Sequence, residues 1–282
     1  WPCFICGHWP IDYEERNQGR APANFPLHLK QVHAINSDSI NLVYAKVQEL
    51  NKQKIWASCQ GIDVKLLSSP SEEQYKAIDE VSHLGLLPPP GDLTKNQVEL
   101  WGKDFGPEMS KLVLPQALEG LPFVFYINQV SRVCTHQIVR TRFGAAFIQQ
   151  SQRAGDMTHA WHRMPITVFA DQVQRDAFVF QVNEAREAYS AMLKAGVPVQ
   201  DARFIMPQSI CTHIGAVYHW PALKDLAGKR LRNFMQWEIN AVLRGVRAQV
   251  LDHVGSVMAD QLKAGCEWSG VCQEAEAAME PC

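Results

Sequence analysis

The segment HQIVRTRFGAAFIQQSQR, residues 136–153, follows the alternating run FVFYINQVSRV, residues 123–133. From Arg140 to Arg153 it carries three arginines, three glutamines and a serine among apolar residues. Such a segment is expected to lie half buried, where an unpaired charge is costly. Few carboxylates lie near it in sequence, Glu119 and Asp156 among them. We therefore expect a ligand to supply the anionic partners of these guanidinium groups.

A phosphate is the anion that best suits the end of this segment. The Ser151 hydroxyl, the Arg153 guanidinium and the backbone N–H groups between them are the donors that such a site uses. The alternative is a surface loop with solvated arginines.

The same segment resembles the signature of flavin-dependent thymidylate synthases. In that family Arg-His-Arg is followed by seven residues and then by Ser, one residue and Arg. Here Arg140-Thr141-Arg142 is followed by eight residues and then by Ser151-Gln152-Arg153. Two further segments match the family in order and spacing, namely Ala202–Pro207 (ARFIMP) and Leu223–Ile239 (LKDLAGKRLRNFMQWEI).

The resemblance covers roughly residues 62 to 262. It implies an α+β fold with a central, mostly antiparallel sheet flanked by long helices. The predicted organisation is a metal-binding unit over 1–36, a helical linker over 37–61, the synthase-like domain over 62–265 and a tail over 266–282.

Composition limits the possible classes of protein. A chain of 282 residues with 46% hydrophobic residues can bury a large core. Its net charge of −2 gives no electrostatic basis for binding nucleic acid or an anionic membrane. We expect no membrane span, no signal peptide at WPCFICGHW, and no disulfide scaffold from the eight scattered cysteines. Cytoplasmic placement follows as a prediction.

The N-terminal residues offer ligands for zinc. Cys3 and Cys6 have two residues between them, and His28 and His33 have four. This is a Cys2His2 ligand set with a wide central spacing, and it predicts a structural zinc site. The alternative is an accidental occurrence of these residues in a loop.

Periodicity and capping residues predict the regular elements. The predicted helices are Ser37–Gln53, one that begins near Ser69–Glu73, Asn96–Leu118, Asp171–Lys194 and a longest helix over Asn233–Lys263. One strand is predicted to begin at Val64, and a second is predicted over Phe123–Val133. The stretch Met206–Tyr218 is either a strand or irregular.

The resemblance also implies a reaction, namely methylation of dUMP at C5 to give dTMP. Methylenetetrahydrofolate would supply the carbon, and FAD reduced by NADPH would supply the hydride. The same resemblance implies a homotetramer with active sites at subunit interfaces.

Site residues follow from the resemblance position by position. The nucleotide would be bound by Gln137, Arg140, Gln149, Gln150, Ser151, Arg153, Arg203 and Arg230. The flavin would be bound by Arg140, Thr141, Arg142, His219, Asp225 and Gln236. Gln137 and Arg140 would act from a helix start, Arg203 from a neighbouring subunit, and Arg230 as the catalytic cation that stabilises charge on the pyrimidine.

Each of these residues also has a plainer interpretation. Arg230 would be a solvated cation that opens the long helix, and Arg203 would pair with Asp201 or Glu187. Gln236 would be a surface residue, and His219 a partly buried histidine without a ligand.

Several positions depart from the family pattern. Thr141 and Phe234 each replace a His, and His219 and Asp225 replace two Asn. These departures favour, as an alternative, a relative that methylates or hydroxymethylates dCMP or UMP. A further alternative is a non-catalytic protein that binds a nucleotide for regulation.

Overall fold

The computed structural model describes residues 37–57, 61–84, 117–232 and 235–269, and these residues form two compact units. The first unit comprises the described residues up to Ile62, together with Gln129–Thr135 and Gln150–Thr212. The second comprises the described residues within Asp63–Asn128, His136–Gln149 and the residues from His213 onward. The predicted zinc unit lies outside the described residues, and the predicted domain limits stay predictions.

The described residues contain both helices and strands throughout. The helices are α1 Ser37–Lys52, α2 Glu72–Leu84, α3 Arg132–Ile138, α4 Ile166–Ala170, α5 Gln172–Lys194, α6 Val199–Ala202, α7 Trp220–Arg230, α8 Trp237–His253, α9 Ser256–Ala259 and α10 Gly265–Ser269. The strands are β1 Ile55–Ala57, β2 Asp63–Ser68, β3 Pro122–Ser131, β4 Ala145–Gln149, β5 His162–Met164 and β6 Cys211–His219. Short 3₁₀ turns cover Ala117–Gly120 and Arg203–Ile205.

A four-stranded sheet has the order β2-β3-β6-β4. The pairs β2/β3 and β4/β6 are antiparallel, whereas β1 and β5 form a separate parallel pair. Alternate residues of β3 and β6 are buried, because successive side chains of a strand point to opposite faces of the sheet. Among the buried residues, the ring centroids of Phe125 and Tyr218 lie 6.5 Å apart. The expected α+β class with a mostly antiparallel sheet is confirmed.

Helix α8 packs against the outer strand β2. A side chain at Gly245 would place its Cβ 2.9 Å from Val64, so glycine is needed for this close approach. The backbone N–H of Leu66 donates to Oε1 of Gln249 at 2.9 Å. One backbone donor at the edge of the sheet is thereby satisfied by a helix side chain.

Most helix predictions are confirmed. Helix α1 covers the predicted range, and α5 begins where Asp171 accepts a hydrogen bond from the backbone N–H of Gln174. At the start of α2, Ser71 and Gln74 cap each other through side-chain to backbone bonds.

The strand Phe123–Val133 is confirmed but ends at Ser131, and Met206–Tyr218 contains strand β6. Predicted helix Asn96–Leu118 lies outside the described residues except for its last two.

The predicted longest helix, Asn233–Lys263, is wrong. Helix α8 ends at His253, and Gly255 follows with φ of +125°. An L side chain rarely adopts that conformation, so the glycine ends the helix although the apolar stripe continues beyond it. The 23-residue α5 is the longest helix among the described residues.

The first unit has its own core. Helix α1, strands β1 and β5, and helix α5 enclose a cluster that includes Leu50, Ile55, Met164 and Val182. His162 lies in this unit with no exposed surface, and its Nδ1 is 3.0 Å from the Ser209 hydroxyl. Burial first, and the positive charge of Arg186 second, lower the pKa of His162 to about 3.

We expect acid to destabilise the protein through His162. Between the ordinary pKa near 6.5 and the folded-state pKa near 3, the unfolded chain binds a proton that the folded chain does not. The free energy of unfolding should therefore fall as the pH is lowered, by about 1.4 kcal/mol per pH unit from this group. Urea titrations of the wild type and His162→Asn at about pH 7 and about pH 5 measure it. The prediction is contradicted if the free energies of unfolding of the wild type and His162→Asn differ by the same amount at both pH values.

No helix within the described residues is long and apolar enough to cross a membrane.

Candidate functional site

A pocket of about 900 Å³ lies in the second unit. Its walls come from the 3₁₀ turn before β3, the end of α3, the loop that leads into β4, and one face of α7. The lining residues are Glu119, Gln137, Arg140, Thr141, Arg142, Phe143, Gly144, His219, Pro221, Ala222, Asp225, Leu226, Lys229 and Arg230. Seven residues that the sequence predicted for ligand binding are thus brought together: Gln137, Arg140, Thr141, Arg142, His219, Asp225 and Arg230.

The loop 140–144 is built by the end of α3. Helix α3 stops at Ile138, and the backbone N–H groups of Arg140 and Thr141 turn back to the carbonyls of Gln137 and Ile138. Gln137 and Arg140 therefore lie at a helix end, and the expectation that they stand at a helix start is wrong. The helix begins at Arg132, directly after β3, and ends at Ile138, so Gln137 lies in its last turn and Arg140 lies beyond it.

Gly144 fixes the other end of the loop. Its φ is +63°, and an added Cβ would lie 3.1 Å from the Cβ of Ala222 on α7. Its carbonyl accepts the backbone N–H of His219 at 2.7 Å. The loop is thereby held against the start of α7, and both elements face the pocket.

Three arginines line the pocket, and one lysine of the pocket wall is already paired. Asp225 and Lys229 form an ion pair of 2.6 Å one helical turn apart. Within the described part of the chain, Arg140, Arg142 and Arg230 have no carboxylate within ion-pair distance. Arg140 and Arg142 are exposed, so the expected half burial is wrong for them; β4 is the outer strand of its sheet, and this region faces outward. The ligand that supplies their anions stays a prediction.

Arg230 is the last residue of α7, and the expectation that it opens a long helix is wrong. Its Nη1 lies 3.6 Å from the sulfur of Met235. Its carbonyl accepts a hydrogen bond from Nδ2 of Asn240 at 3.2 Å. Arg230 lines the pocket, and its guanidinium forms no ion pair with a described residue.

Gln236 does not line the pocket but contacts a residue that does. Its Oε1 accepts from Nε2 of Gln137 at 3.3 Å and from the backbone N–H of Ile239 at 3.0 Å. The second bond caps the start of α8. Gln236 can therefore orient Gln137.

His219 precedes α7 and lies on the pocket wall. Its Nδ1 contacts the backbone carbonyl of Glu119. A carbonyl can only accept, so Nδ1 carries the proton and donates it. Nε2 is then the nitrogen that remains for a ligand.

Five of the predicted nucleotide residues lie elsewhere. Gln149 ends β4 in the second unit but does not line the pocket, whereas Gln150, Ser151, Arg153 and Arg203 belong to the first unit. In the turn after β4, the Ser151 hydroxyl accepts the backbone N–H of Arg153 at 3.2 Å. That hydroxyl keeps its own proton for an anion, and the Arg153 side chain is exposed.

Arg203 lies near a second arginine of the first unit. Burial first, and the charge of Arg203 second, lower the pKa of Arg132. Nε of Arg203 donates to the carbonyl of Gln200 at 3.1 Å, and within the described residues it forms no ion pair with Asp201 or Glu187.

Sequence reasoning missed Arg132, Phe143 and Lys229. Phe143 is 92% exposed although it lines the pocket, and only its place beside Arg142 in the signature pointed to it. Lys229 shares the pocket face of α7 with Asp225, four residues earlier, which the spacing could have indicated. Arg132 carried no sequence signal, because its neighbour Arg203 is distant in the chain.

The predicted zinc ligands Cys3, Cys6, His28 and His33 lie outside the described residues. Among the residues that the structure does describe, no group of three or more His, Cys, Asp or Glu side chains is placed to hold a metal ion.

Comparisons with known proteins agree on one family. A family model described as Thymidylate synthase complementing protein matches residues 111–254. The flavin-dependent thymidylate synthase from Nitratidesulfovibrio vulgaris is 33% identical over 174 residues, which cover 56% of this chain and 67% of the relative. The one from Pyrococcus horikoshii is 32% identical over 173 residues, which cover 56% of this chain and 68% of the relative. The one from Saccharolobus solfataricus is 29% identical over 154 residues, 54% of this chain.

The matched region is little more than half of some of these relatives. It spans 56% of the Saccharolobus solfataricus protein and 52% of that from Pyrococcus abyssi.

Among solved structures, the UMP/dUMP methylase PolB from Streptomyces cacaoi bound with 5-Br dUMP superposes with a TM-score of 0.57 at 14% identity. That match covers 74% of this chain and 96% of the methylase, and it shows a shared fold.

Proposed function

Because the chain belongs to the family described as Thymidylate synthase complementing protein, we propose that it is a flavin-dependent enzyme that alkylates C5 of a pyrimidine nucleoside monophosphate. The specific reaction is methylation of dUMP to dTMP, with methylenetetrahydrofolate as carbon donor and NADPH as reductant. The observation that carries the proposal is that one pocket is lined by Gln137, Arg140, Arg142 and Arg230 together.

The residues of this pocket fit FAD. A volume of about 900 Å³ lies within the range of cofactor sites, roughly 300–1,000 Å³. Arg140 and Arg142, which lack carboxylate partners among the described residues, suit the pyrophosphate. Pro221, Ala222 and Leu226 offer an apolar surface to the ring system. When bound and reduced, FAD supplies hydride.

The chain's own residues bind and orient the nucleotide. Arg230 would face the uracil edge and stabilise negative charge there, while Gln137, held by Gln236, would bind the same ring. The phosphate would be bound by Ser151 and Arg153, with Gln149 and Gln150 alongside and Arg203 supplied by a neighbouring subunit.

The identity of the base is a finer question. His219 and Asp225 on the pocket wall replace amides of the family pattern, which favours a second candidate, alkylation of UMP or dCMP. The structural neighbour named as a UMP/dUMP methylase supports including UMP. Both candidates use the same pocket and the same co-substrates.

The direct test is incubation of purified protein with FAD, NADPH, methylenetetrahydrofolate and one of dUMP, UMP or dCMP, followed by product mass. Methylated dUMP supports the first candidate, and methylated or hydroxymethylated UMP or dCMP supports the second. Nucleotide binding without any product, in the presence of bound FAD, would establish the non-catalytic regulator instead. Cytoplasmic placement remains part of the proposal.

Assembly is a separate expectation. We expect a homotetramer in which Arg203 serves the site of a neighbouring subunit. Light scattering on active protein measures this, and a monomer that turns over substrate contradicts it.

Zinc is expected at the N-terminus. Cys3, Cys6, His28 and His33 should bind one zinc ion per chain, with bond lengths of roughly 2.0–2.3 Å. Cys3→Ser should abolish zinc binding and leave FAD binding unchanged, because a segment this small depends on its metal for folding while the pocket does not. Metal analysis of protein purified without chelator checks both statements. A zinc-free wild-type protein contradicts the site.

A further inference from the structure

The end of α7 is capped by a side chain of α8. Asn240 is buried, and its Nδ2 donates to the backbone carbonyls of Arg230 and Arg232 at 3.2 Å each. The last carbonyls of a helix have no partner within it, so their donors have to come from elsewhere. An asparagine amide carries two N–H groups, one for each of these carbonyls. Asn240 therefore joins the last residue of α7 to the first turn of α8.

The orientation of the Asn240 amide is determined on its other side. Its Oδ1 accepts a hydrogen bond from Nε of Arg244 at 2.6 Å, one turn further along α8. A guanidinium only donates and a backbone carbonyl only accepts, so the amide oxygen has to face Arg244 and the amide nitrogen has to face the end of α7. The backbone N–H of Asn240 donates to the carbonyl of Gln236 at 3.2 Å. The amide is thus held at its oxygen and at its backbone, with both donors directed at α7.

The first turn of α8 contacts the pocket wall through a second residue. Gln236, the cap of α8, accepts a hydrogen bond from Nε2 of Gln137 at 3.3 Å. Neither Gln236 nor Asn240 is among the residues that line the pocket, yet each contacts a residue that does. This turn therefore bears on two of the side chains that the proposed reaction uses.

The position of Arg230 depends mainly on its backbone. Among the described residues its guanidinium forms one hydrogen bond, to the sulfur of Met235 at 3.6 Å, and a thioether is a weak acceptor. Its carbonyl is held by the stronger donor, the amide of Asn240. A cation that stabilises developing charge has to be in place before the reaction, and a displacement of about 1 Å can cost about a hundredfold in rate.

We propose that Asn240 is a positioning residue for Arg230, because it fixes the end of α7 so that the guanidinium meets the pyrimidine where negative charge develops. The inference rests on the proposed function and adds to it a residue outside the pocket lining. The plainer interpretation is that Asn240 joins α7 to α8 and contributes to stability alone. The two interpretations differ in whether the effect of an Asn240 substitution on turnover depends on the Arg230 side chain.

Asn240→Asp tests the proposal. Aspartate has nearly the same shape and keeps the acceptor for Arg244, but it lacks both N–H donors. In an assay with FAD, NADPH, methylenetetrahydrofolate and the nucleotide that the wild type accepts, kcat should fall by about tenfold. KM for the nucleotide should stay near the wild-type value, because the positioned charge acts in the transition state. A thermal melt of each protein reports on folding.

Asn183→Asp is the matched control. Asn183 on α5 has the same pattern of bonds in the first unit, since its Nδ2 donates to Gln53 at 3.1 Å and its Oδ1 accepts from Arg186 at 3.2 Å. The substitution removes an equivalent pair of donors from a residue outside the pocket lining, so kcat should stay at the wild-type value.

The Arg230→Ala background separates positioning from stability. Arg230→Ala/Asn240→Asp should have the kcat of Arg230→Ala alone, because no guanidinium is left to position. A fall in kcat by the same factor in both backgrounds overturns the inference, as does wild-type kcat in Asn240→Asp.

Asn240→Ser serves if the aspartate variant does not fold. Its hydroxyl can donate to one carbonyl, so kcat should fall less, with the same dependence on Arg230. If neither variant folds, the role of Asn240 is structural and the inference is overturned. A wild-type protein that yields no product from any of the three nucleotides is a different result, since it refutes the proposed function itself.

Discussion

Arg230→Ala is expected to lower kcat by about 10²–10³-fold, the loss that follows removal of an oxyanion-hole donor. Arg230 ends α7 in the pocket, and among the described residues its guanidinium contacts only the sulfur of Met235. Its structural role is carried by its backbone carbonyl, which Asn240 holds and which the substitution keeps. The loss should therefore appear in turnover and not in folding. Steady-state kinetics with a thermal melt of each protein measure both.

Two further variants make the Arg230 result specific. Arg230→Lys keeps the charge but not the planar fork, and it should recover part of the lost kcat. Arg247→Ala removes an arginine of α8 that pairs with Asp260 at 3.2 Å outside the pocket lining, and it should leave kcat unchanged. If Arg230→Ala retains kcat within a factor of about two, another cation stabilises the developing charge.

Arg153→Ala is expected to raise the KM for the nucleotide by about tenfold to a hundredfold, the range for loss of a charge-assisted hydrogen bond. The phosphate carries the same charge in the ground state and the transition state, so kcat should change little. Arg153 is exposed, and the turn that contains it is held by its backbone N–H and the Ser151 hydroxyl, which the substitution leaves in place.

Gln152→Ala is the matched control for Arg153. It lies in the same turn and removes a polar side chain that is not assigned to the phosphate, so KM should stay near the wild-type value. FAD affinity should be unchanged in both variants, because the pocket belongs to the second unit. A fall in kcat at unchanged KM for Arg153→Ala would show that this residue acts on the reacting ring instead.

The sequence predicts much of the fold because its strongest signals are local. One such signal is the capping residue Asp171 before α5, and another is the alternation of Phe123, Phe125 and Ile127 in β3. Each involves only a few neighbouring residues, and the structure confirms both elements. The resemblance to the family assigns Arg142 and Arg230 to one site, and both line one pocket because α7 and the loop before β4 face the same cavity.

The helix boundaries around Arg230 failed for a physical reason. Lys229, Arg230 and Leu231 are good helix formers although α7 ends there. Helix α8 begins at Trp237 with Gln236 as its cap, a residue that seldom caps. At the other end, the apolar stripe runs past Gly255, whose positive φ overrides the periodicity. The second stop was available in the sequence, because a glycine just beyond a helix is a local signal for its end.

Other site features could not be read from the chain because they depend on residues distant in sequence. Burial, and then the charge of Arg203, 71 residues later in the chain, lower the pKa of Arg132 only in the folded first unit. The tautomer of His219 follows from a carbonyl that lies 100 residues earlier in the chain. Exposure of Arg140 and Arg142 follows from the outer position of β4, which no composition of the segment could indicate.

The central claim is that the pocket lined by Arg142 binds a flavin, and calorimetric titration of FAD into the purified protein tests it most directly. Wild type should bind one FAD per chain, Arg142→Ala should bind at least tenfold more weakly, about 1.4 kcal/mol less, and Arg247→Ala should match the wild type. The claim would be contradicted if the wild type did not bind FAD at concentrations up to roughly 100 µM, because its binding free energy would then be weaker than about −5.5 kcal/mol.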